Sequence, residues 1–224
     1  MINALDPKDK WLLKRYGKFT ASVIHKLLLP GKDGAVFSAG GMTYIEERAV
    51  ETMTTLYDRP ELEFVEALIH GKAFEETAFD EYVRVSKNYN MKYFGTEDPV
   101  YIEHNAYSGG SPDGLMGEGE NIYLGLELKS PKNPSVHFKY LQFKDQWDLK
   151  EKRKEYYAQI QFLMLITGAP EFHFASFDER FINPKLRLKI IPVYTDKKFQ
   201  DNLEIRIAMA QKEKLRIIER LQNI

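Results

Sequence analysis

Three residues stand out for the chemistry their types and spacing allow: Asp113, Glu127 and Lys129. The stretch from Ile122 to Lys129 alternates leucine with glycine, glutamate and lysine, which predicts a strand. With a side-chain period of two, Leu124, Leu126 and Leu128 share one face, expected to pack on the core. Gly125, Glu127 and Lys129 share the other. Upstream, Ser111-Pro112-Asp113-Gly114 lies on the preceding arm of a predicted hairpin and brings a second carboxylate to the same end of the sheet. Two converging carboxylates suit a hard, oxygen-loving cation such as Mg²⁺ or Mn²⁺. For phosphodiester cleavage such a cation polarises a phosphoryl oxygen, acidifies an attacking water and stabilises a departing alkoxide. A lysine beside it orients or deprotonates that water and offsets developing negative charge. Taken singly, Asp113-Gly114 is a turn and Glu127/Lys129 a surface charge pair. Together, on adjacent arms, they describe a site.

The elements that must position these residues follow from hydrophobic period and punctuation. Residues 7–29 read as helical, with Thr20 capping a short helix from Ala21 to Leu29 that Pro30 and Gly31 end. A glycine-rich loop from Gly31 to Gly41 leads into a helix over about Met42 to Leu56, broken at Asp58-Arg59-Pro60. The next helix runs from about Glu61 or Ala67 to Ser86, with Phe74, Ala78 and Val85 along one stripe. Val100 to Glu103, Tyr107 to Met116 and Ile122 to Lys129 read as strands, and Pro131 and Pro134 close that section. Gln142 to Lys154 is polar and predicts the start of a helix or a mobile loop. Tyr156 to Thr167 is helical and apolar nearly all round, hence buried. Phe172 to Phe177 and Leu186 to Tyr194 predict an antiparallel pair. Thr195 or Asp196 then caps a C-terminal helix with Leu203, Ile207 and Ala210 on one face. This order predicts a mixed α/β domain built on a central sheet.

The 224 residues suffice for one sizeable core, and no repeat or linker divides them, so a single domain over 1–224 is expected. Cysteine is absent, which excludes a disulfide scaffold, thiolate metal sites and a cysteine nucleophile. No apolar run is long enough to span a bilayer and the N-terminus carries no apolar leader, so a cytoplasmic location without membrane contact is expected. The formal net charge is −1. Lysine and arginine nevertheless cluster at Lys8, Lys10, Lys14, Arg15 and Lys18, and again at Lys139, Lys144, Lys150, Lys152, Arg153 and Lys154. Local basic faces, not the sum, govern affinity for phosphates. The five histidines show no metal spacing, and the glycines lack the Gly-Lys-Ser/Thr of a nucleotide triphosphate loop.

Pro112-Asp113, a hairpin, then Glu127-Leu128-Lys129 resembles the PD-(D/E)XK nuclease superfamily. Two segments flank it at fitting distances: Gly71-Lys72-Ala73-Phe74-Glu75-Glu76-Thr77-Ala78 and Tyr157-Ala158-Gln159-Ile160-Gln161-Phe162. With Arg15-Tyr16-Gly17-Lys18-Phe19-Thr20-Ala21-Ser22 in front, the chain resembles the phage lambda-type exonuclease (YqaJ-like viral recombinase) family from about Arg15 to Phe177. The 113–127 hairpin is slightly longer than in the prototype, which alters the turn.

That resemblance implies an α/β, restriction-endonuclease-like core: a central mixed sheet flanked by helices. It implies a metal site of Asp113 and Glu127, the Leu128 carbonyl and Glu75, with Glu76 left as a surface charge. Lys129 is the implied catalytic lysine. Gln159, whose helical neighbours Phe162, Leu163 and Ile166 are apolar, needs a partner for its amide. The resemblance puts it beside the active site, positioning the water or scissile phosphate. Arg15, Ser22 and Ser111 match positions that hold a 5′-phosphate. A helix beginning near Thr20 would offer free N–H groups, and Arg15 a bidentate contact. Leu68 matches an apolar wedge between strands, with core packing as its plainer role. The implied activity is Mg²⁺-dependent 5′-to-3′ exodeoxyribonuclease action, with two Mg²⁺ ions and Mn²⁺ as substitute. It would act on linear duplex DNA with a 5′-phosphate and leave a 3′ overhang for recombination by strand annealing. A homotrimeric ring around double-stranded DNA ends and a single-strand annealing protein as partner are implied too. The alternatives are a structure-specific or restriction-like endonuclease and a non-catalytic ring that binds DNA ends.

Overall fold

Hydrophobic period decides most of the elements. In this computed structural model the described residues are 7–55, 66–95 and 99–223, without the side chains of Lys8 and 66–73. The expected break at Asp58-Arg59-Pro60 and the side chain of Leu68 lie outside the described residues. Chain order begins α1 (Pro7–Arg15), β1 (Phe19–Thr20), a 3-10 helix (Ala21–Leu28), α2 (Ala39–Met53) and α3 (Glu66–Ser86). The strands β2 (Lys92–Tyr93), β3 (Ile102–Asn105), β4 (Ser108–Gly110), β5 (Gly114–Glu118) and β6 (Asn121–Lys129) follow. Then come α4 (Pro134–Leu141), α5 (Gln146–Lys152), α6 (Lys154–Thr167), β7 (Glu171–Phe177), β8 (Leu188–Tyr194) and α7 (Lys197–Gln222).

The larger sheet has the order β2-β5-β6-β7-β8 and is mixed: β6 and β7 run parallel, the other pairs antiparallel. Helices α4, α5 and α6 make the crossover that a parallel β6/β7 pair requires. This is the mixed sheet flanked by helices that the sequence leads one to expect. A second sheet, β1-β4-β3, was not expected. The run 107–116 does not stay in one strand. Pro112 has no N–H to give to a ladder, so β4 stops at Gly110 and the chain changes sheets before β5.

Other expectations need correction. Residues 7–29 are not one helical stretch: Gly17, at φ +72, turns the chain out of α1, and Phe19–Thr20 pairs in parallel with Ser108–Gly109. Thr20 precedes the 3-10 helix but makes no side-chain cap, and its N–H donates to the Tyr44 hydroxyl at 2.8 Å. On α3, Ala78 and Tyr82 are buried whereas Val85 is exposed, so the buried stripe follows the i, i+4 spacing. Pro131 and Pro134 do not simply end a section. Asn133 accepts from Ser135 N, and Pro134 takes the first helical position of α4. Asp145 likewise caps α5 by accepting from Trp147 N and Asp148 N. At the C-terminal helix the cap is Asp196, accepting from Phe199 N at 3.1 Å, with Leu203, Ile207 and Ala210 buried.

The main core lies between the larger sheet, α6, the 3-10 helix and α7, around Phe162, Phe172, Phe174 and Leu203. A smaller core on the other side of the sheet joins Leu124, Leu126 and Leu128 to Ala78, Tyr82 and Met91. Among the described residues no helix is long and apolar enough to cross a membrane.

Candidate active site

Strand β6 is covered on both faces. Its leucines fill the smaller core under α3, and its opposite face turns towards α6. Gly125 on that face is required by close approach: a Cβ there would lie 2.1 Å from the Phe172 ring, its partner on parallel β7. Two residues on, Glu127 is 1 % exposed and Lys129 is half-buried. A Glu–Lys pair on a solvated strand would have both heads in water. Here the carboxylate has been taken out of it.

Asp113 sits in the link between β4 and β5 and is locked by backbone. Its N–H donates to Leu126 O at 3.1 Å, and its carbonyl accepts from Phe94 N at 2.9 Å. Its Oδ2 accepts from Leu128 N at 2.6 Å, so the backbone of Leu128 stands at the site. Glu127 Oε1 accepts from Gln159 Nε2 at 2.6 Å and from Lys129 Nζ. This contact supplies the partner that the Gln159 amide needs among the apolar neighbours Phe162 and Leu163. Lys129 Nζ also lies over the Tyr156 ring, 5.2 Å from its centre.

Burial sets the electrostatics. It pushes the Glu127 carboxyl up to about 8, the nearby Asp113 charge pushes the same way, and Lys129 opposes. Asp113 is raised by burial too, against Lys129 and the Leu128 N–H. For Lys129, burial works against the charged amine, but Glu127 and Asp113 outweigh it and hold its proton more firmly. The shared cause is clear: a desolvated site resists two bare carboxylates and welcomes positive charge.

Glu75, on α3, is half-buried while Glu76 is exposed. The Glu75 charge is felt at Glu127 and at Tyr93, whose phenol burial raises, with Glu75 and Asp113 adding to it. Among the described residues, however, no three acidic or histidine side chains converge into a ready metal cage. Glu75, Asp113 and Glu127 are neighbours in charge, since Asp113 and Glu75 both act on the Glu127 carboxyl, but the three do not form such a cage. One oxygen of Asp113 and one of Glu127 are turned to donors: Asp113 Oδ2 to Leu128 N, and Glu127 Oε1 to Lys129 and Gln159. The donor set still fits a divalent cation. Glu127 Oε2 is buried with no hydrogen-bond partner, and an unsatisfied carboxylate oxygen of that kind is costly.

Two residues before Asp113, Ser111 Oγ accepts from Arg15 Nη1 at 3.3 Å and from Trp11 Nε1 at 2.9 Å. The Arg15 guanidinium lies 4.1 Å from the centre of the Trp11 ring. Burial lowers its pKa, yet a guanidinium remains charged at any ordinary pH. Ser22 is exposed, and among the described residues it makes no side-chain hydrogen bond to Arg15 or Ser111. The parallel β1/β4 register carries its backbone towards them, since a Cβ on Gly110 would meet the Ala21 Cβ at 2.8 Å. Trp11 was not singled out from sequence; its signal is the i, i+4 spacing to Arg15 on α1. Tyr156 and Tyr93 were missed as well, because nothing local marks a tyrosine as site-lining. Among the described residues no histidine joins the site: buried His137, for instance, contacts Ser176 Oγ and Leu186 O, both at 2.8 Å.

Solved exonucleases share this architecture. An alkaline exonuclease from Laribacter hongkongensis, LHK-Exo, superposes with a TM-score of 0.74 over 96 % of both chains, at 23 % identity. Its complex with dAMP gives 0.70 over the same share at 22 % identity. A phage-related exonuclease from Haemophilus somnus 129PT gives 0.69 at 16 % identity, over 92 % of this chain and 97 % of that one. The fold is thus of the alkaline and phage-related exonuclease type. The chain belongs to the YqaJ-like viral recombinase family, whose domain matches residues 10–170. Comparison with curated proteins gives no match.

Proposed function

We infer that the chain is a Mg²⁺-dependent exodeoxyribonuclease that degrades one strand of linear duplex DNA from a 5′-phosphate and leaves a 3′ overhang. The observation that carries this is the buried group of Asp113, Glu127, Lys129 and Gln159, with Arg15 on Ser111 two residues from Asp113. Asp113 and Glu127, with the Leu128 carbonyl and Glu75, would hold one or two divalent cations. These supply Lewis-acid activation of the phosphodiester and of water.

The chain's own residues do the rest. Leu128 N–H fixes one Asp113 oxygen, and Gln159 fixes one Glu127 oxygen. Both carboxylates are thereby held before any substrate arrives. Lys129 keeps its proton at Nζ and offsets negative charge that develops on the phosphate. Arg15, steadied by Trp11, and Ser111 grip a terminal phosphate through charge-assisted bonds. Membership of a viral recombinase family supports two further readings: a homotrimer encircling the duplex, and delivery of the 3′ strand to a single-strand annealing protein.

The test is digestion of linear duplex labelled separately at each end, with and without Mg²⁺. Release of the 5′ label as a mononucleotide, with the 3′-labelled strand retained and circular duplex intact, is expected. Cutting of circles would make the protein an endonuclease; binding without cutting would make it an end-binding ring. Arg15→Ala should erase most of the preference for 5′-phosphorylated over 5′-hydroxyl ends, and an unchanged ratio removes Arg15 from that role.

A further inference from the structure

Two residues past Arg15 the chain meets a buried group of charges that takes no part in the acidic centre. Arg48 and Glu51 face each other on α2, Arg48 Nη1 to Glu51 Oε2 at 2.9 Å, and Lys214 reaches in from α7. Glu51 and Lys214 are each 4 % exposed and Arg48 is 8 % exposed. Charged side chains are almost never buried so deeply unless they are paired. Glu51 and Lys214 share one backbone residue. Gly17 N donates to Glu51 Oε2 at 3.0 Å, and Gly17 O accepts from Lys214 Nζ at 2.9 Å.

Gly17 is where the chain leaves α1. At φ +72 it takes a conformation that other residues resist, and a Cβ there would lie 2.9 Å from Thr52 Oγ1 on α2. The turn is therefore pressed onto α2 with no side chain between them. Lys214 Nζ also lies 3.4 Å from Thr52 Oγ1, so α2, α7 and the turn meet at one point. Lys18 N donates to Arg15 O at 3.0 Å, which carries the geometry of the turn straight back to Arg15. On the far side Phe19 N donates to Tyr107 O at 2.9 Å. Arg15 loses basicity first to burial and, among its charged neighbours, to Arg48. Like charges push apart, so some other attachment must keep Arg15 in place. Bonds between a backbone group and a buried charge are of the strong kind, and Gly17 has two of them.

We propose that Lys214 and Glu51 are positioning residues for recognition of the DNA end: by holding the N–H and the carbonyl of Gly17 they set Arg15 against Ser111, and with it the preference for a 5′-phosphate. The role of Arg15 rests on the nuclease reading above; the bonds to Gly17 do not. Neither side chain touches substrate, and their effect passes through the backbone. A residue of the C-terminal helix, 197 positions from Gly17, thereby governs how well the front of the chain grips an end. Misplacement of a gripping group by about 1 Å costs up to roughly 10²-fold.

The experiment uses the full chain. Lys214→Met keeps an unbranched stem and removes the N–H donors. Initial rates on linear duplex with 5′-phosphate or 5′-hydroxyl ends give the preference between them. In Lys214→Met it should fall about fivefold, all through a higher KM for phosphorylated ends and with kcat unchanged. Glu51→Gln keeps an oxygen for Gly17 N but loses the charge, and should lower the preference about twofold. Leu203→Ala, about three turns earlier on α7, lowers stability at a buried position and should leave the preference intact. A second readout needs no cleavage. With Trp147→Phe, Trp11 is the one tryptophan left, bonded to Ser111 and lying against Arg15. Acrylamide quenching of its fluorescence should rise in Lys214→Met and stay at the parent value in Leu203→Ala. Where Arg15→Ala erases the end preference, an unchanged preference in Lys214→Met overturns the proposal. So does an equal loss in Leu203→Ala, which would reduce the effect to general loosening. If the parent chain cuts no DNA, or Arg15→Ala leaves the end preference as it was, that reading fails and quenching alone decides. A rise confined to Lys214→Met and Glu51→Gln then upholds the placement of Arg15 by these two residues, and no rise overturns it.

Discussion

The two faces of β6 are the same nine residues put to opposite uses. One face, Leu124, Leu126 and Leu128, is buried against Ala78, Tyr82 and Met91 and holds no polar side chain. The other, Gly125, Glu127 and Lys129, is buried almost as deeply but carries a carboxylate and an amine. Burial alone therefore does not separate core from site. What separates them is whether each polar atom has a donor, and on the second face one Glu127 oxygen does not. A strand with a functional face is stabilised from behind by an apolar one, so stability and chemistry should be separable by mutation.

Leu126→Ala tests the apolar face and should have the largest effect on stability, about 2–5 kcal/mol for a fully buried leucine. Denaturant unfolding reads it, and a loss below about 1 kcal/mol would blur the division. Lys129→Ala tests the polar face. Turnover should fall roughly 10²-fold or more while duplex binding and the unfolding midpoint stay close to wild type. A variant that lost stability as much as activity would show that the amine serves mainly to neutralise the buried acids. Gly125→Ala should cost about 1–3 kcal/mol, because the new methyl must displace the Phe172 ring. It tests whether the polar face is packed as tightly as the leucine face.

The smallest expected effect is on pH. Glu127 has a folded-state pKa raised to about 8 from an ordinary 4.5, so between those values the folded chain holds more protons than the unfolded one. Stability from this site is thus complete below about 4.5 and declines as pH rises through about 8. Melting temperature in EDTA should fall across that window, and Mg²⁺ should flatten the slope. A flat profile in EDTA would mean that Lys129 alone balances both carboxylates.

How much of this was legible depended on the distance over which each element is specified. Strand β6, buried α6 and the β7/β8 pair carry their pattern locally, in leucine alternation, an all-round apolar helix and two short apolar runs. Glu127, Lys129 and Gln159 were readable for the same reason: each is fixed by its place on such an element. The stretch 19–28 was not. Its two-residue strand exists only because Ser108 and Gly109, far along the chain, offer a ladder. The sheet change at Pro112 was visible as a residue but not as a topology. Trp11 was hidden differently, since its partner is Ser111, one hundred positions away. Glu75 was placed by resemblance, and the half-burial that sets it apart from Glu76 comes from tertiary packing rather than from local sequence.

The turn-off at residues 111–113 has a mechanical consequence. Only Pro112 separates the serine that Arg15 grips from the aspartate of the acidic centre, and two peptide links span at most about 7 Å. Whatever is clamped at one end is registered against the other by covalent geometry, like work held against the stop of a saw bench. Lengthening that short segment by a single residue would shift the stop while leaving both the clamp and the blade intact.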